Sequence, residues 1–198
     1  ILLFVITIVA LQSCRLIGLN VNHTTPRKGN VYPKFTEEDS IRGALNSLRS
    51  NFDVQYYSIQ IELIPAKKYI QGFVDIEFSI VSSTNTIQID LYENLQLDSI
   101  LYANTQIQFS RKYDAVYVSF PDSLQKGTEH TIRCYYQGKP TIAKKPPWKG
   151  GFVWKKSKDG SPWIGVACEV AGASLWWPCK DHISDEPERG VRMNVTVP

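Results

Sequence analysis

The stretch from Glu169 to Arg189 concentrates the side chains of this 198-residue chain that could do chemistry. Its charged residues are Glu169 and a closely spaced run of Lys180, Asp181, Asp185, Glu186, Glu188 and Arg189. Carboxylates in such a run can accept short, charge-assisted hydrogen bonds from a cationic group. The sequence therefore directs attention first to this C-terminal stretch.

A packing role is the other interpretation of the same stretch. Trp176 and Trp177 stand side by side before Pro178, and large rings of this kind fill a junction between sheets while the proline restricts the backbone. In that interpretation Asp181 accepts hydrogen bonds from nearby amides or pairs with Arg189. We expect most of the stretch to be such a corner.

A zinc site is not predicted from these residues. The histidines are His23, His130 and His182, which lie far apart, and no pair of cysteines has the CxxC spacing. Neither a zinc knuckle nor a HExxH helix is therefore present.

Cys134, Cys168 and Cys179 are an odd number of cysteines once Cys14 is set aside, so at least one thiol must stay unpaired. We expect Cys168 and Cys179 to be free, buried thiols.

The order of motifs near the C-terminus resembles that of a known enzyme family. Glu169 is followed by Trp177-Pro178-Cys179-Lys180-Asp181 and then by a strand-like segment from Val191 to Pro198. This pattern is similar to the end of the N-terminal domain of the zinc aminopeptidases that include aminopeptidase N and leukotriene hydrolase, the gluzincins. The insertion from His182 to Pro187 looks like that of Bacteroidetes-like bacterial members. Ala167 stands where the family usually has glutamine.

The resemblance implies roles for individual residues. Glu169 falls on the family's amine-recognition glutamate, which binds the free α-amino group of a peptide substrate. Trp176, Trp177, Pro178, Cys179 and Asp181 form the structural motif, and no catalytic residue is implied. Zinc would belong to a catalytic domain beyond Pro198, so this chain is expected to carry no cofactor and to be inactive alone. Its implied partners are that catalytic domain and peptide N-termini.

The first residues predict export. Ile1 to Leu11 is an uncharged apolar run of the length found in signal peptides. Leu11-Gln12-Ser13-Cys14 resembles a bacterial lipobox, with Cys14 as the lipidated residue. We therefore expect residues 1–14 to be a signal segment truncated at its start, 15–35 a linker, and the protein to be periplasmic or a membrane-anchored lipoprotein. A plain secretory signal and a buried N-terminal strand are the alternatives.

The elements that must position these residues are mostly strands. Thr36 and Asp39 have capping-box spacing before Ile41, Leu45 and Leu48, which predicts a short helix ending near Asn51. Beyond it the apolar residues alternate with polar ones, at Tyr57, Ile59, Ile61 and Leu63; Val74, Ile76, Phe78 and Ile80; Ile87, Ile89 and Leu91; Ile107 and Phe109; Val116, Val118 and Phe120; Ile132, Cys134 and Tyr136; and Val191, Met193, Val195 and Val197. The period of two predicts an all-β domain over residues 36–198, a saddle-like antiparallel or mixed β-sheet sandwich.

The segment from Lys139 to Lys158 differs in composition, with seven lysines and the tryptophans Trp148 and Trp154. We expect a surface loop with packed tryptophans and no nucleic-acid partner.

Two further functional hypotheses stay open. In one, the chain is a lipid-anchored module that binds peptide or carbohydrate through the loop from Trp148 to Trp163. In the other, the domain only helps a catalytic domain fold, with Glu169 paired internally.

Overall fold

Strands make up most of the computed structural model, which describes residues 34–146 and 148–198. The predicted signal segment of residues 1–14, which includes the lipidation residue Cys14, and nearly all of the predicted linker lie outside the described residues. Within these two ranges the α-helices are α1 (Glu37–Gly43) and α2 (Ser47–Ser50). The strands are β1 (Phe52–Ile64), β2 (Tyr69–Ile80), β3 (Thr84–Asp90), β4 (Leu95–Tyr102), β5 (Thr105–Lys112), β6 (Ala115–Leu124), β7 (Glu129–Gly138), β8 (Gly151–Lys156), β9 (Pro162–Ala167) and β10 (Val191–Thr196).

Eight of the strands form one mixed sheet in the order β10-β1-β2-β7-β4-β5-β6-β3. Strand β10 runs parallel to β1, and the other neighbours are antiparallel. The sheet curls so that its two halves face each other: Phe78 on β2 lies 6.2 Å from Phe120 on β6, measured between ring centroids. The inward side chains form a single apolar core. The predicted fold class is confirmed.

The capping box at the first helix is present as predicted. Thr36 accepts from the Asp39 amide at 3.1 Å, and the Asp39 carboxylate accepts from the Thr36 amide at 2.8 Å. The helical region differs in that it breaks after Gly43, where Asn46 caps a second helix. Leu45 is 48% exposed, and the buried residue of this region is Arg49. Among the described residues, no helix is long and apolar enough to span a bilayer.

The lysine-rich segment is only partly the loop that its composition predicts. Its second half forms β8, which pairs with β9 as a separate two-stranded sheet. The alternation of Phe152 and Trp154 explains the strand, because both rings point to the face that packs on the core and stack with centroids 5.3 Å apart. Trp148 is 67% exposed, so the expectation that it packs is wrong.

Candidate functional site

The motif around Cys179 is tied to strand β3 through its backbone. The Asp90 amide donates to the Cys179 carbonyl at 2.7 Å, and the Cys179 amide donates to the Asp90 carbonyl at 3.1 Å. This pair of bonds is an isolated antiparallel bridge. The corner that contains Pro178 is therefore held where β3 ends, and its backbone groups are satisfied as burial requires.

Lys180 is a buried structural cation. Its Nζ donates to the Phe52 carbonyl at 2.7 Å and to Asp185 at 2.6 Å, and its backbone amide donates to the Tyr57 hydroxyl at 3.0 Å. The side chains of Lys180 and Asp185 are 5% and 1% exposed. Buried charges need such partners to offset the cost of leaving water. Lys180 and Asp185, two of the charged residues that the sequence offers for chemistry, therefore have a structural role.

Asp181 serves the backbone of the neighbouring turn. Its Oδ2 accepts from the Ser174 hydroxyl at 2.5 Å and from the Ser174 amide at 3.3 Å. Its own amide donates to Asp90 Oδ2 at 3.1 Å. Arg189 instead pairs with Glu77 at 3.0 Å. Of the two roles predicted for Asp181, the structure shows the one in which it satisfies nearby amides.

Gly172 is required by this arrangement. Its φ is +80°, and a Cβ there would overlap the Asp181 carboxylate. A side chain at this position would therefore combine backbone strain with a direct clash. The glycine lets the turn that follows Glu169 lie against Asp181.

The adjacent tryptophans fill the junction between the two sheets. The rings of Trp176 and Trp177 have centroids 4.3 Å apart, and Trp176 meets Phe152 edge-on at 5.9 Å. The indole nitrogens of Trp154, Trp176 and Trp177 are buried and have no hydrogen-bond partner among the described residues. Ring packing is therefore what these tryptophans contribute.

Glu169 lies in an exposed turn directly after β9, beside a cleft of about 430 Å³. The cleft lies between this turn, the first helix and the segment after the Cys179 corner. Its charged lining is Asp39, Arg42, Glu169 and Asp181, and His182 also lines it. Large apolar side chains on its rim are exposed to solvent: Phe35 by 90%, Val170 by 74% and Ile183 by 100%.

The turn that carries Glu169 is held from both sides. The Gly172 amide donates to the Cys168 carbonyl at 2.8 Å and closes the turn. The Ala171 carbonyl accepts from the Tyr92 hydroxyl at 3.1 Å and also from the Arg42 guanidinium, which lies 5.0 Å from the centre of the Tyr92 ring. Helix α1 and the loop after β3 thus position the Glu169 backbone.

The Glu169 carboxylate itself takes part in no ion pair among the described residues. An exposed carboxylate can accept charge-assisted hydrogen bonds from an ammonium group. On an open surface such a pair contributes only about 0–1 kcal/mol, because water competes for both charges. Strong binding of an ammonium group at Glu169 would need a second wall that excludes water from the cleft.

Metal and thiol chemistry find no support within the described part of the chain. It contains no group of three histidine, cysteine, aspartate or glutamate side chains that could hold a metal ion. Cys134, Cys168 and Cys179 are unpaired, and burial raises the pKa of all three thiols. Thiols with raised pKa values are poor nucleophiles at neutral pH. The expectation of free thiols holds, although Cys168 is only half-buried.

Arg49 and Asp90 support the Cys179 corner and are not predicted by the sequence pattern. The Arg49 side chain is completely buried and donates to Asp90 at 2.5 Å, and the Asp90 side chain is 3% exposed. Asp90 is the residue to which the Cys179 corner is bonded. Nothing in the local pattern marks this pair, because Asp90 sits in an ordinary alternating strand and Arg49 in a short helix.

Comparison with known proteins rests on solved structures. The chain matches no protein-family model and shows no significant match to a curated protein sequence. An M1 zinc metallopeptidase from Deinococcus radiodurans is similar at 22% identity with a TM-score of 0.58, over 75% of this chain and 33% of that one. A mutant of such an enzyme from the same organism, bound to a Tyr-Ser-Ala substrate, matches at 21% identity with a TM-score of 0.57 over the same shares.

Leukotriene A4 hydrolase from Saccharomyces cerevisiae gives a further match. Its native structure is similar at 16% identity with a TM-score of 0.61, over 87% of this chain and 26% of that one. This chain therefore spans about a third of the length of the metallopeptidase and about a quarter of the hydrolase. The resemblance seen in the sequence is confirmed at the level of the fold: the chain has the fold of one part of the M1 zinc metallopeptidases and leukotriene A4 hydrolase.

Proposed function

We propose that this chain is the non-catalytic N-terminal part of an exported zinc aminopeptidase, that it caps the active-site cleft, and that Glu169 binds the α-amino group of the peptide substrate. The fold likeness to zinc metallopeptidases supports the proposal, as does the small share of those enzymes that the chain covers. The observation that carries the role of Glu169 is its exposed carboxylate, which is free of ion pairs among the described residues. The turn that presents it is held at Ala171 by Tyr92.

The chemistry of the amino group explains why a carboxylate would be placed there. A peptide N-terminus is an ammonium group, and it needs anionic acceptors when it leaves water for a closed cleft. A second domain packed over the exposed rim of Phe35, Val170 and Ile183 would exclude water and strengthen that pair. A fixed anion at one end of the cleft would also define how many residues reach the scissile bond, which suits removal of single N-terminal residues.

In this proposal zinc binds to none of the described residues. The described residues offer no set of three ligands, whereas a catalytic zinc site uses three protein ligands and a water. In the proposed parent enzyme the metal would polarise the peptide carbonyl and activate water. The role of the present residues is to bind and orient the substrate.

The test uses the full-length enzyme with Glu169→Gln, compared with Glu186→Gln as a control at another exposed glutamate. A charge-assisted hydrogen bond contributes about 1.5–3 kcal/mol, so kcat/KM for aminoacyl substrates should fall by roughly 10- to 100-fold in the first variant and stay unchanged in the second. Equal unfolding midpoints for both variants would separate binding from stability. Unchanged KM and kcat in Glu169→Gln would refute the assignment.

The alternative is a lipid-anchored module that binds peptide or carbohydrate through the Trp148 to Trp163 segment. The exposure of Trp148 and Trp163, 67% and 53%, is the observation in its favour. The coding sequence that follows Pro198 separates the two proposals. A HExxH helix there supports the aminopeptidase, and a stop codon soon after Pro198 supports the binding module.

A further inference from the structure

The far end of the β8–β9 hairpin forms a groove with the short 3-10 turn Pro65–Lys67. The groove has a volume of about 400 Å³, and its apolar lining comes from Pro65, Trp154, Pro162 and Ile164. Trp154 and Ile164 stand opposite each other in the hairpin register and so point to the same face. This groove is separate from the cleft beside Glu169, with which it shares no lining residue.

Lysines line this groove and lie next to it along the chain. Lys68, Lys155 and Lys156 are lining residues, and Lys67 and Lys158 are close to them in sequence. All five are exposed and take part in no ion pair among the described residues. We call them the hairpin-tip lysines.

The single acidic residue of the hairpin is Asp159. Its carboxylate accepts from the Ser161 amide at 3.0 Å and from the Ser157 hydroxyl. The hydrogen bond from Ser157, together with those from Ser161, lowers the pKa of Asp159 to about 2, so the carboxylate is ionised. The same hydrogen bonds turn the carboxylate towards its own loop. Five lysines against one aspartate leave the hairpin end with a net charge of +4.

Trp163 presents an exposed apolar ring at the same end. It is 53% exposed and lies opposite Lys155 in the hairpin register, on the face away from the groove. Its ring lies over Gly165, where a Cβ would come within 3.2 Å of the indole. The ring is thus supported on one side and open on the other. Apolar surface therefore lies on both faces of the hairpin end, with lysines around it.

We propose that the hairpin end docks on the surface of an anionic phospholipid bilayer. Lysine stems cover apolar surface while their ammonium groups reach lipid phosphates, and tryptophan rings favour the headgroup level of a bilayer. Anionic headgroups complement the charge of +4, and the apolar groove accommodates the boundary with the acyl chains. The segment from Lys139 to Cys168 contains no arginine, the residue suited to bidentate recognition of individual phosphates. The hairpin-tip lysines carry point charges, which suit a diffuse anionic surface better than they suit a nucleic acid.

The probe is sedimentation of the 198-residue chain with vesicles of phosphatidylcholine alone or mixed with phosphatidylglycerol. Each lysine near an anionic bilayer strengthens binding by about fivefold. The double change Lys155→Glu and Lys156→Glu should therefore weaken binding to the anionic vesicles by at least about 25-fold. Trp163→Ala should weaken it as well, and added salt should weaken binding of the unaltered chain.

The control is the double change Lys126→Glu and Lys139→Glu, which alters the net charge equally at exposed lysines away from the hairpin end. It should retain most of the binding. Because Ile1 to Leu11 is itself apolar, the decisive quantity is the ratio of binding to anionic over neutral vesicles. Equal binding to both vesicles, or equal losses in the two double variants, would overturn the proposal. So would selective binding of a single-stranded oligonucleotide that only the hairpin-tip lysines support, with no binding to vesicles.

Discussion

Replacing Arg49 by methionine should strongly destabilise the domain, although Arg49 lies far in sequence from the motif that it supports. Its guanidinium donates to Asp90 at 2.5 Å and to the carbonyls of Arg42 and Ala44. Methionine keeps the apolar stem and removes every one of these bonds. Asp90 would then be a buried carboxylate whose remaining donors are the Asp181 amide and Gln88.

The expected cost follows from the burial of the pair. The two side chains are 0% and 3% exposed, and removing one partner of a buried ion pair costs about 3–5 kcal/mol. The matched control is Arg133→Met, because Arg133 and Asp75 form a close pair whose side chains are 40% and 20% exposed. Water screens that pair, so its loss should cost about 1 kcal/mol or less.

Urea denaturation followed by tryptophan fluorescence measures both variants. With an m-value of about 2 kcal/mol/M, the midpoint for Arg49→Met should fall by roughly 2 M, and that for Arg133→Met by at most about 0.5 M. Adding Asp90→Asn to Arg49→Met should recover part of the loss, since an uncharged amide then replaces the unpaired carboxylate. A double-mutant cycle gives the interaction energy of the pair.

The same variant should depend on pH. Burial raises the pKa of Asp90 above its ordinary value, and the Arg49 guanidinium opposes that rise. Without Arg49 the pKa of Asp90 in the folded state rises further, so the folded protein binds this proton more tightly than the unfolded chain does. Lowering the pH from 7.5 towards the raised pKa must then recover stability in Arg49→Met. Equal losses in the two arginine variants, or a loss in Arg49→Met that grows as pH falls, would refute this reasoning.

Two further predictions concern the turn and the thiols. Gly172→Ala should destabilise the fold by about 2–4 kcal/mol, because the added Cβ would overlap the Asp181 carboxylate. The control Gly127→Ala, at a similar φ of +82° but with nothing near its Cβ, should cost about 1 kcal/mol. Urea midpoints measure both variants, and equal costs would show that Asp181 does not restrict the turn. With a thiol-specific reagent on the native protein, Cys168→Ser should remove one reactive thiol and Cys134→Ser should remove none, because Cys134 is buried and Cys168 is half-exposed. Rapid reaction of Cys134 would contradict its burial.

Local patterns explain which parts of the fold were predictable. The capping box of Thr36 and Asp39 joins residues three apart, and the alternation along β1, β2 and β7 reports which face of each strand is buried. Strand β10 was recognised by the same alternation, yet Val191 and Met193 are 49% and 37% exposed, because β10 is an edge of the sheet. Periodicity identifies a strand but does not say what covers it.

The stretch from Glu169 to Arg189 likewise has features that local patterns predict and contacts that they do not. Its residue types predict a packed corner, and the resemblance to the aminopeptidase family singles out Glu169. Only the tertiary structure decided that Lys180 and Asp185 are buried partners, that Asp181 bonds to Ser174 and not to Arg189, and that Asp90 and Arg49 hold the corner. The contacts that anchor this stretch to the sheet join distant residues: Lys180 and Phe52 are 128 positions apart, and Arg49 and Asp90 are 41 apart. No local spacing encodes these two contacts, because they depend on how the curled sheet brings its strand ends together.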